Sequence, residues 1–201
     1  DVFSKNHLLF IGINSQKTNK EKIDYFNSLS VYDHNLKILN FYNKINLVPF
    51  GEFLPFENIL KKFGLSVITN NYQSFSNGED RKIIDIKRDD FSLKILPLIC
   101  YEIIYSGKIF KNPSLDLMVN ISEDGWFGSS IGPKQHFAHS IFRAVESGKY
   151  LLRSANNGIA AIVNPLGIVE QKVKYGRSGY IDFKKVKKIQ PTLFSKYGNK
   201  I

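Results

Sequence analysis

The chain has 201 residues, which is enough for one domain with a sizeable core. Its 43% hydrophobic and 23% charged residues are typical of a globular protein and exclude a disordered chain. The formal net charge is +10, but the lysines are scattered and do not form the dense basic stripe of a nucleic-acid interface, so no nucleic-acid partner is expected.

A single cysteine excludes an internal disulfide and any metal site built from several cysteines. No apolar run approaches the roughly 18 residues of a membrane-spanning helix, and no signal peptide is recognisable. The sequence starts with Asp1 and enters the apolar run Leu8–Ile13 almost at once, which predicts a buried strand. Because of this abrupt start, we expect the chain to be a piece of a longer protein.

The following segments predict a hairpin and then a loop. Asn14–Asn27 is polar and is interpreted as a loop, with room for a short helical turn. Ser28–Tyr32 and Leu36–Tyr42 have the composition of strands, and Asp33–Asn35 between them favours a turn. Over Tyr42–Glu52 the periodicity of apolar residues stops, which is typical of a functional loop.

A helix and two strands are predicted before the cysteine. Leu54–Phe63 has helical spacing, with its apolar residues on one face. Lys82–Ile86 and Phe91–Ile99 are predicted strands, and the second ends at Cys100. Pro97 cannot donate a ladder hydrogen bond, so we expect a bulge or a locally free edge just before the cysteine.

The last third of the chain predicts a strand, a helix and a hairpin. Leu115–Ile121 is a predicted strand, and Gly132-Pro133 predicts the cap and first position of a helix. The predicted buried stripe of this helix consists of Phe137, Ile141, Ala144, Val145 and Gly148. Ile159–Val163 and Ile168–Val173 are expected to pair across a turn. Strands dominate, with helices between some of them, so the sequence predicts an α/β fold with sandwich-like layers.

Cys100 is the candidate nucleophile. It closes an apolar strand, and strand ends present reactive side chains on a rigid support. A lone cysteine in an apolar run can equally be a small buried hydrophobe. A free thiol has a pKa of ~8.5, so a nucleophilic cysteine needs a base or a nearby cation. The four histidines lack the flanking signatures of a papain-like site, which gives a Cys–His dyad little support.

Lys44 is the better candidate partner. It ends an apolar strand and precedes the non-periodic loop, which would let it project from the sheet edge. A partly desolvated lysine lowers the pKa of a neighbouring thiol and can donate to a developing oxyanion. Glu52 and Glu102 are candidates for holding this lysine or for proton transfer. The alternative for each residue is a solvated surface charge.

Several separated blocks form a recognisable pattern in this order along the chain. They are Tyr42–Lys44 with Leu47–Glu52, Ile99–Glu102, Asn120–Ser122 with Asp124–Gly128, Gly132–His136, Phe142–Glu146 and Leu152–Gly158. Together they resemble the catalytic domain of bacterial apolipoprotein N-acyltransferases, a family of the nitrilase superfamily. The resemblance implies a nitrilase-like α-β-β-α sandwich with a Glu-Lys-Cys triad. On this basis residues 1–201 are expected to be a partial carbon-nitrogen hydrolase domain.

The resemblance also implies a role for each site residue. Cys100 would be the nucleophile that becomes a thioester-linked acyl enzyme, and Lys44 would be the triad lysine. The supporting active-site residues would be Glu52, Tyr101, Glu102 and Trp126. The implied reaction moves an acyl chain from a phospholipid to the α-amino group of a lipoprotein's N-terminal diacylglyceryl-cysteine. No metal and no cofactor is implied.

Two features depart from the family's pattern. The triad glutamate lies in a Pro-Glu motif ahead of the first strand, and this chain has no such motif. Glu21 lies in a polar segment without a neighbouring proline, and Glu57 follows the lysine instead of preceding it. The family's flanking transmembrane helices are also absent from the sequence. We therefore expect a fold truncated on its N-terminal side, with an unpaired sheet edge near Leu8–Ile13, and an inactive, aggregation-prone chain when it is alone.

The resemblance implies a place at the bacterial inner membrane, with the catalytic domain on the periplasmic side. The phospholipid acyl donor, the apolipoprotein N-terminus and the membrane itself, reached through the missing helices, would be the partners. Two alternatives stay open. One is a soluble nitrilase-type amidase, which would share the sandwich and the Lys–Cys pair. The other is an inactive remnant that lacks the triad glutamate.

Overall fold

The computed structural model describes residues 3–19, 22–56, 59, 62–63, 74–88, 91–107, 114–183, 186–187 and 189–200. The chain divides into two compact units, Asp1–Arg81 and Lys82–Ile201. The first unit contains a three-stranded sheet and the second a six-stranded sheet. None of the helices in the described part of the chain is long and apolar enough to cross a membrane.

The sheet of the first unit is antiparallel. Its strands are β1 (Leu9–Asn19), β2 (Lys22–Tyr32) and β3 (Ile38–Asn43), in this spatial order. The predicted hairpin is confirmed, because β2 and β3 pair across the turn at Asp33, whose carboxylate accepts hydrogen bonds from two backbone amides. Among the described residues β1 has a partner on one side only, so the expected unpaired edge is present there.

The interpretation of Asn14–Asn27 as a loop is wrong. Strands β1 and β2 pair in one continuous register, from Leu9 opposite Tyr32 to Asn19 opposite Lys22. The polar residues are therefore the far ends of two long strands, whose backbone groups satisfy each other across the hairpin. Their polarity reflects exposure to solvent, and the sequence pattern alone does not separate an exposed strand from a loop.

One face of this sheet is buried and supports the loop that follows. Leu29, Val31 and Tyr42 are at most 2% exposed, and β3 ends one residue before Lys44. The predicted non-periodic loop is confirmed, since residues 44–52 contain only turns and an isolated bridge between Pro49 and Phe53. The helix predicted for Leu54–Phe63 includes residues 57–58 and 60–61, which lie outside the described residues.

The second unit has a mixed six-stranded sheet with the strands in sequence order. The strands are β4 (Ile84–Lys87), β5 (Ser92–Ile99), β6 (Leu117–Glu123), β7 (Tyr150–Asn156), β8 (Ala160–Val163) and β9 (Val169–Val173). The central pairs β5–β6 and β6–β7 are parallel, and the outer pairs are antiparallel. All the strands predicted for this part of the chain are confirmed, with small shifts of their ends.

Pro97 lies on a locally free edge, as predicted. Strand β5 pairs with β4 only as far as the pair Ile95–Ile84, whereas its pairing with β6 continues to Ile99. The missing amide hydrogen of Pro97 therefore removes no bond from the β4–β5 ladder. The last residues of β5, directly before Cys100, therefore pair with β6 and not with β4.

Helix α1 (Gly132–Ser147) connects β6 to the parallel strand β7, and a short helix α2 (Leu193–Tyr197) follows later. The helix begins one residue earlier than predicted, with Ile131 as its N-cap and Gly132 as its first residue. Gly148 ends it in the left-handed region, at φ 64°, a conformation that glycine adopts without strain.

The buried stripe of α1 differs in part from the prediction. Phe137 and Ala144 are buried, but Val145 is 44% exposed. Four polar residues that the apolar pattern ignored, His136, Ser140, Arg143 and Ser147, are buried instead. The helix thus packs on the sheet through a mixed stripe, in which His136 and Arg143 contact backbone carbonyl oxygens of the turn after β5.

The core of the second unit lies between α1 and the sheet. Its buried members are Leu96, Leu98, Ile103, Leu115, Met118, Phe137, Ala144, Leu151, Ala161 and Val163. These side chains come from one face of β5, from β6, β7 and β8, from helix α1, and from the turn that follows Cys100. The position of Cys100 is consequently fixed by a packed core and not by a free loop.

Candidate active site

Cys100 is the first residue after β5 and the first of a 3-10 helix that spans Cys100–Ile104. Its φ is 49°, a left-handed backbone conformation that is strained for a residue with a side chain. The residue is half-buried, and its Sγ lies 4.0 Å from the carbonyl oxygen of Glu123. Such a strained position at a strand end, held by the neighbouring strand, is typical of functional residues.

Glu102 is fully buried and acts on the backbone beside the cysteine. Its carboxylate accepts a hydrogen bond of 2.9 Å from the amide of Ile99. Glu102 therefore closes the tight turn that follows β5 and helps to hold Cys100 in place. Tyr101, between these residues, is 36% exposed, and its ring centroid lies 6.3 Å from that of His136.

A buried polar cluster lies behind Cys100. We call Asp124, His136, Arg153 and Asn120 the Asp124 cluster, and each of them is at most 4% exposed. The ring of His136 bridges two elements, because its Nδ1 lies 2.8 Å from Asp124 Oδ1 and its Nε2 lies 3.2 Å from the carbonyl oxygen of Cys100.

The rest of the cluster ties the strands together. Arg153 on β7 donates from Nη2 to both carboxylate oxygens of Asp124, at 3.0 and 2.7 Å, and from Nη1 to the side-chain oxygen of Asn120. Asn120 on β6 donates in turn to the carbonyl oxygen of Leu98, at 3.1 Å. The Asp124 cluster thus holds the carbonyl oxygens of Leu98 and of Cys100 itself.

The charges of the cluster balance locally. Burial alone would raise the pKa of Asp124, but the hydrogen bond with His136 and the positive charge of Arg153 outweigh it and lower this pKa to about 2. Burial lowers the pKa of Arg153 from its ordinary value, and the charge of Asp124 opposes that effect. The carboxylate–guanidinium pair is therefore a buried ion pair that depends on both partners.

The lowered pKa of Asp124 predicts a loss of stability in acid. A carboxyl group whose folded pKa is depressed contributes stability above its unfolded pKa of 3.8, and this contribution disappears as the pH falls towards 2. The difference corresponds to about 2 kcal/mol. We expect Asp124→Asn to lower stability near pH 7, because Arg153 loses its partner, and to flatten the pH dependence between pH 4 and pH 2.

Urea unfolding of the wild type and of Asp124→Asn at several pH values in this window would measure the effect. The matched control is Asp182→Asn, which changes an exposed aspartate of the same unit and should keep the full acid loss of the wild type. An acid loss in Asp124→Asn as large as that of the wild type would contradict the assignment.

Lys44 lies in the first unit and is paired with Glu52. The lysine is 1% exposed, and its Nζ donates to both carboxylate oxygens of Glu52, at 2.8 and 2.6 Å. The solvated alternative for Lys44 is therefore wrong, because the ammonium group is buried and paired. The two contacts with Glu52 fix the position of the buried ammonium group and the direction in which the lysine side chain points.

Glu52 is itself fully engaged. Its Oε1 accepts a hydrogen bond from the side-chain amide of Asn27 and its Oε2 accepts one from the backbone amide of Val48, both at 2.7 Å. With the two contacts of Lys44, each oxygen has two donors. This carboxylate therefore anchors both the lysine and the loop.

The backbone of Lys44 is equally constrained. Its amide donates to the carbonyl oxygen of Asn27, and its carbonyl oxygen accepts from the amide of Gly78, both at 2.8 Å. A Cβ at Gly78 would overlap the carbonyl of Asn43, so only glycine allows this close approach. Lys44 is thus fixed from three sides within the first unit.

The predicted site residues fall into the two units. Lys44 and Glu52 form one pair in the first unit, whereas Cys100, Tyr101 and Glu102 occupy one turn of the second. Trp126 lies in the 3-10 helix Gly125–Phe127 after β6 and is 80% exposed. Glu21 and Glu57, which were considered for the triad glutamate, lie outside the described residues. Within the described ranges no three His, Cys, Asp or Glu side chains group as a metal site.

The Asp124 cluster was missed by the sequence reasoning. Its residues lie in blocks that the sequence analysis singled out, but no role was assigned to them. Gly158 was the one local sign of this cluster in the sequence. A Cβ at this position would overlap the carboxylate of Asp124. A glycine that follows a strand marks a close approach of this kind, although the residue that approaches is not readable from the sequence.

The chain has similar sequences among known proteins. Curated apolipoprotein N-acyltransferases are similar to the chain: that of Rhodopseudomonas palustris is 37% identical over 174 residues, and that of Rickettsia prowazekii is 38% identical over 199 residues. These matches cover 86% and 98% of this chain but only 32% and 39% of the relatives. The chain thus spans about a third of the length of the curated relatives that it matches.

Solved structures show the fold. The chain is similar to an amidase from Nesterenkonia sp. AN1 whose active-site cysteine carries acrylamide, with a TM-score of 0.55 and 14% identity over 84% of this chain and 59% of that chain. It is also similar to Nit3 of Saccharomyces cerevisiae, a nitrilase-superfamily member, with a TM-score of 0.54 and 16% identity over 84% of this chain and 56% of that chain. The expected nitrilase-like α/β fold is confirmed.

A family description matches most of the chain. The carbon-nitrogen hydrolase family matches residues 4–182, which include every residue of the candidate site. The chain therefore belongs to the carbon-nitrogen hydrolase family.

Proposed function

We propose that this chain forms part of the catalytic domain of an apolipoprotein N-acyltransferase, and that all 201 residues belong to one carbon-nitrogen hydrolase domain. One observation carries the proposal: a strained, half-buried Cys100 ends a core strand in a chain whose named relatives are such acyltransferases. A strained cysteine on a rigid support is what covalent acyl transfer needs, because the thiolate must meet the acyl carbon in a fixed geometry.

The proposed reaction has two halves. The Cys100 thiolate attacks the ester carbonyl of a phospholipid, the carbon–oxygen bond breaks, and the lysophospholipid leaves as an alcohol with the proton of the thiol. The α-amine of a lipoprotein's diacylglyceryl-cysteine then attacks the thioester. A carbon–nitrogen bond forms, the carbon–sulfur bond breaks, and an amine proton returns to the thiol. Atoms and electrons balance without a cofactor.

The site residues divide this work. Lys44 supplies a positive charge for the thiolate and a donor for the tetrahedral oxyanion, and Glu52 aims that lysine through its two short contacts. Glu102 supports the turn that carries Cys100. Tyr101 and Trp126 are exposed aromatic side chains, and we assign them to contacts with the acyl donor and the acceptor peptide.

The chemistry of the donor gives the location. A phospholipid acyl donor and a lipid-modified acceptor are both membrane components, so the enzyme works at a membrane surface. We propose the bacterial inner membrane, with the catalytic domain on the periplasmic side and with anchoring by segments outside these 201 residues.

Mass spectrometry can test the proposal. The full-length gene product, incubated with a phospholipid that carries isotopically labelled acyl chains, is expected to gain one labelled acyl group on the peptide that contains Cys100. Addition of a synthetic diacylglyceryl-cysteine peptide should discharge the label onto its amine. The isolated 201-residue chain, which lacks a triad glutamate, is expected to gain no label.

Two results would contradict the acyltransferase. If the folded full-length protein gains no adduct on Cys100, then Cys100 is not the acyl-carrying nucleophile. An adduct that discharges to water but not to the acceptor amine, together with hydrolysis of small amides, would favour the nitrilase-type amidase instead.

A further inference from the structure

The backbone of Cys100 needs an external restraint. Its φ of 49° is uncommon for a residue with a Cβ, and such conformations persist only where the surroundings impose them. Just before Cys100, the backbone amide of Ile99 donates to the carboxylate of Glu102. The carbonyl oxygen of Leu98 accepts a hydrogen bond from the side chain of Asn120. The carbonyl of Cys100 itself is held by His136, whose Nε2 lies 3.2 Å away.

The ring of His136 has polar neighbours at both nitrogens. Nε2 lies 3.2 Å from the carbonyl oxygen of Cys100, which only accepts hydrogen bonds, so this contact is made when Nε2 carries a hydrogen. Nδ1 lies 2.8 Å from Asp124 Oδ1 and 3.2 Å from Arg153 Nη2, so it can donate to the carboxylate or accept from the guanidinium. In both arrangements the ring connects the buried ion pair with the backbone of the nucleophile.

The cluster keeps this ring in place. His136 is 3% exposed, and its ring centroid lies 5.4 Å from that of Phe127 and 6.3 Å from that of Tyr101. Its anchor, Asp124, is fixed in turn by Arg153 and by the hydroxyl of Ser122. A side chain packed in this way transmits the position of helix α1 to the turn after β5.

We propose that His136 is a positioning residue for Cys100: it donates Nε2–H to the Cys100 carbonyl and holds the nucleophile in its reactive left-handed conformation. The proposal deepens the proposed function, since it rests on Cys100 being the nucleophile. His136 does not exchange a proton with the thiol in this role, because its nitrogens are committed to Asp124 and to the backbone. Its effect passes through the geometry of the main chain.

An ordinary core histidine is the alternative. In that case the ring only fills space and satisfies Asp124, and the reactivity of Cys100 does not depend on a donor at this point. The positioning role and the ordinary core role predict different alkylation rates for two replacements that match in length and volume. His136→Gln keeps an N–H donor that can reach the Cys100 carbonyl, whereas His136→Met has none.

The test uses the rate at which iodoacetamide alkylates Cys100 in the full-length gene product, followed by mass spectrometry of the peptide that contains it. Alkylation needs no acyl donor or acceptor, so a failure of the proposed acyl transfer leaves this test intact. We expect His136→Met to react about tenfold more slowly than the wild type, in line with one lost hydrogen bond to a reacting segment, and His136→Gln to recover most of that rate.

His139→Gln is the matched control. This half-buried histidine lies three residues further along α1, and its ring packs against Phe142. Its alkylation rate should equal that of the wild type. Thermal unfolding of each variant should show midpoints close to one another.

Equal alkylation rates in folded His136→Gln and His136→Met would overturn the proposal, whether both rates are slow or both match the wild type. Loss of the folded state in His136→Met but not in His136→Gln would also overturn it, since the ring would then serve the core and not the nucleophile. A slow His136→Met and a recovered His136→Gln, both folded, would establish the positioning role.

Discussion

Cys100→Ser is expected to abolish formation of the labelled acyl enzyme and to lower acyl transfer by at least about 10⁴-fold, the scale of losses when a nucleophile is removed. The serine hydroxyl keeps its proton at neutral pH, and a serine nucleophile needs an adjacent base. Glu52 is saturated with donors, and Glu102 is bonded to the amide of Ile99. His136 faces the carbonyl of residue 100 and Asp124.

The measurement is the acyl-adduct assay on the full-length gene product, with the thermal midpoint as a check on folding. Serine is close to cysteine in volume and adopts the same backbone, so the fold should persist. A matched control is Ser178→Cys in the Cys100→Ser background, which places a thiol at an exposed position of the same unit and should restore nothing. Acyl transfer by Cys100→Ser at the wild-type rate would remove Cys100 from the mechanism.

The part of the fold that the sequence predicts is the part set by local burial. Leu8–Ile13 is an apolar run, Phe91–Ile99 and Leu115–Ile121 are mainly apolar, and each overlaps a strand of the structure. The predicted burial of the first run is wrong, because Ile11 and Ile13 are 40% and 42% exposed. The position of Cys100 at the end of β5 and the free edge at Pro97 follow from the same pattern. An apolar run bounded by turn formers has few alternatives to a strand.

The polar hairpin arms were not predictable in the same way. Residues 14–19 and 22–27 carry little apolar periodicity, and their strand structure comes from pairing with each other over a long register. Backbone hydrogen bonds between two strands do not depend on side-chain polarity. Composition therefore predicts exposure in this region, and the hairpin geometry decides the backbone conformation.

The Asp124 cluster shows a second limit of prediction from the sequence. Asp124, His136 and Arg153 come from a turn, a helix and a strand that span 30 positions of the chain, and their contacts arise only when β6, α1 and β7 pack. Each residue alone has an ordinary solvated alternative. A buried ion pair also has no apolar period to reveal it, and this explains why Arg143 and His136 on α1 were overlooked while Val145 was wrongly placed in the core.

The pair of Lys44 and Glu52 was predictable in part. Their loop was recognised because periodicity stopped there, and their nearness in sequence made contact plausible. Burial of the ammonium group, however, depends on Asn27 and Gly78, which approach from β2 and from a later segment. The sequence could place the two residues on one loop, but the structure alone shows that three donors make four hydrogen bonds to the glutamate.

Lys44→Arg is expected to lower the rate of acyl-enzyme formation by about 10²–10³-fold, which is the loss seen when one oxyanion donor is removed. The substitution keeps the positive charge, so Glu52 retains an ionic partner and the fold should be preserved. It changes the shape of the donor, because a planar guanidinium replaces a compact ammonium. The lysine side chain is completely buried against a carboxylate at 2.6 Å, so the larger group must displace the loop or point elsewhere.

The rate of labelled acyl-adduct formation on Cys100 measures this effect. Lys37→Arg is the matched control, because it makes the same chemical change at an exposed lysine of the same unit and should leave the rate unchanged. A Lys44→Arg variant that is folded and near-normal in rate would make the buried pair a structural feature of the loop. A large loss at an unchanged thermal midpoint would instead identify the ammonium group as a donor to the reaction, since charge and fold are both conserved and only the donor geometry differs.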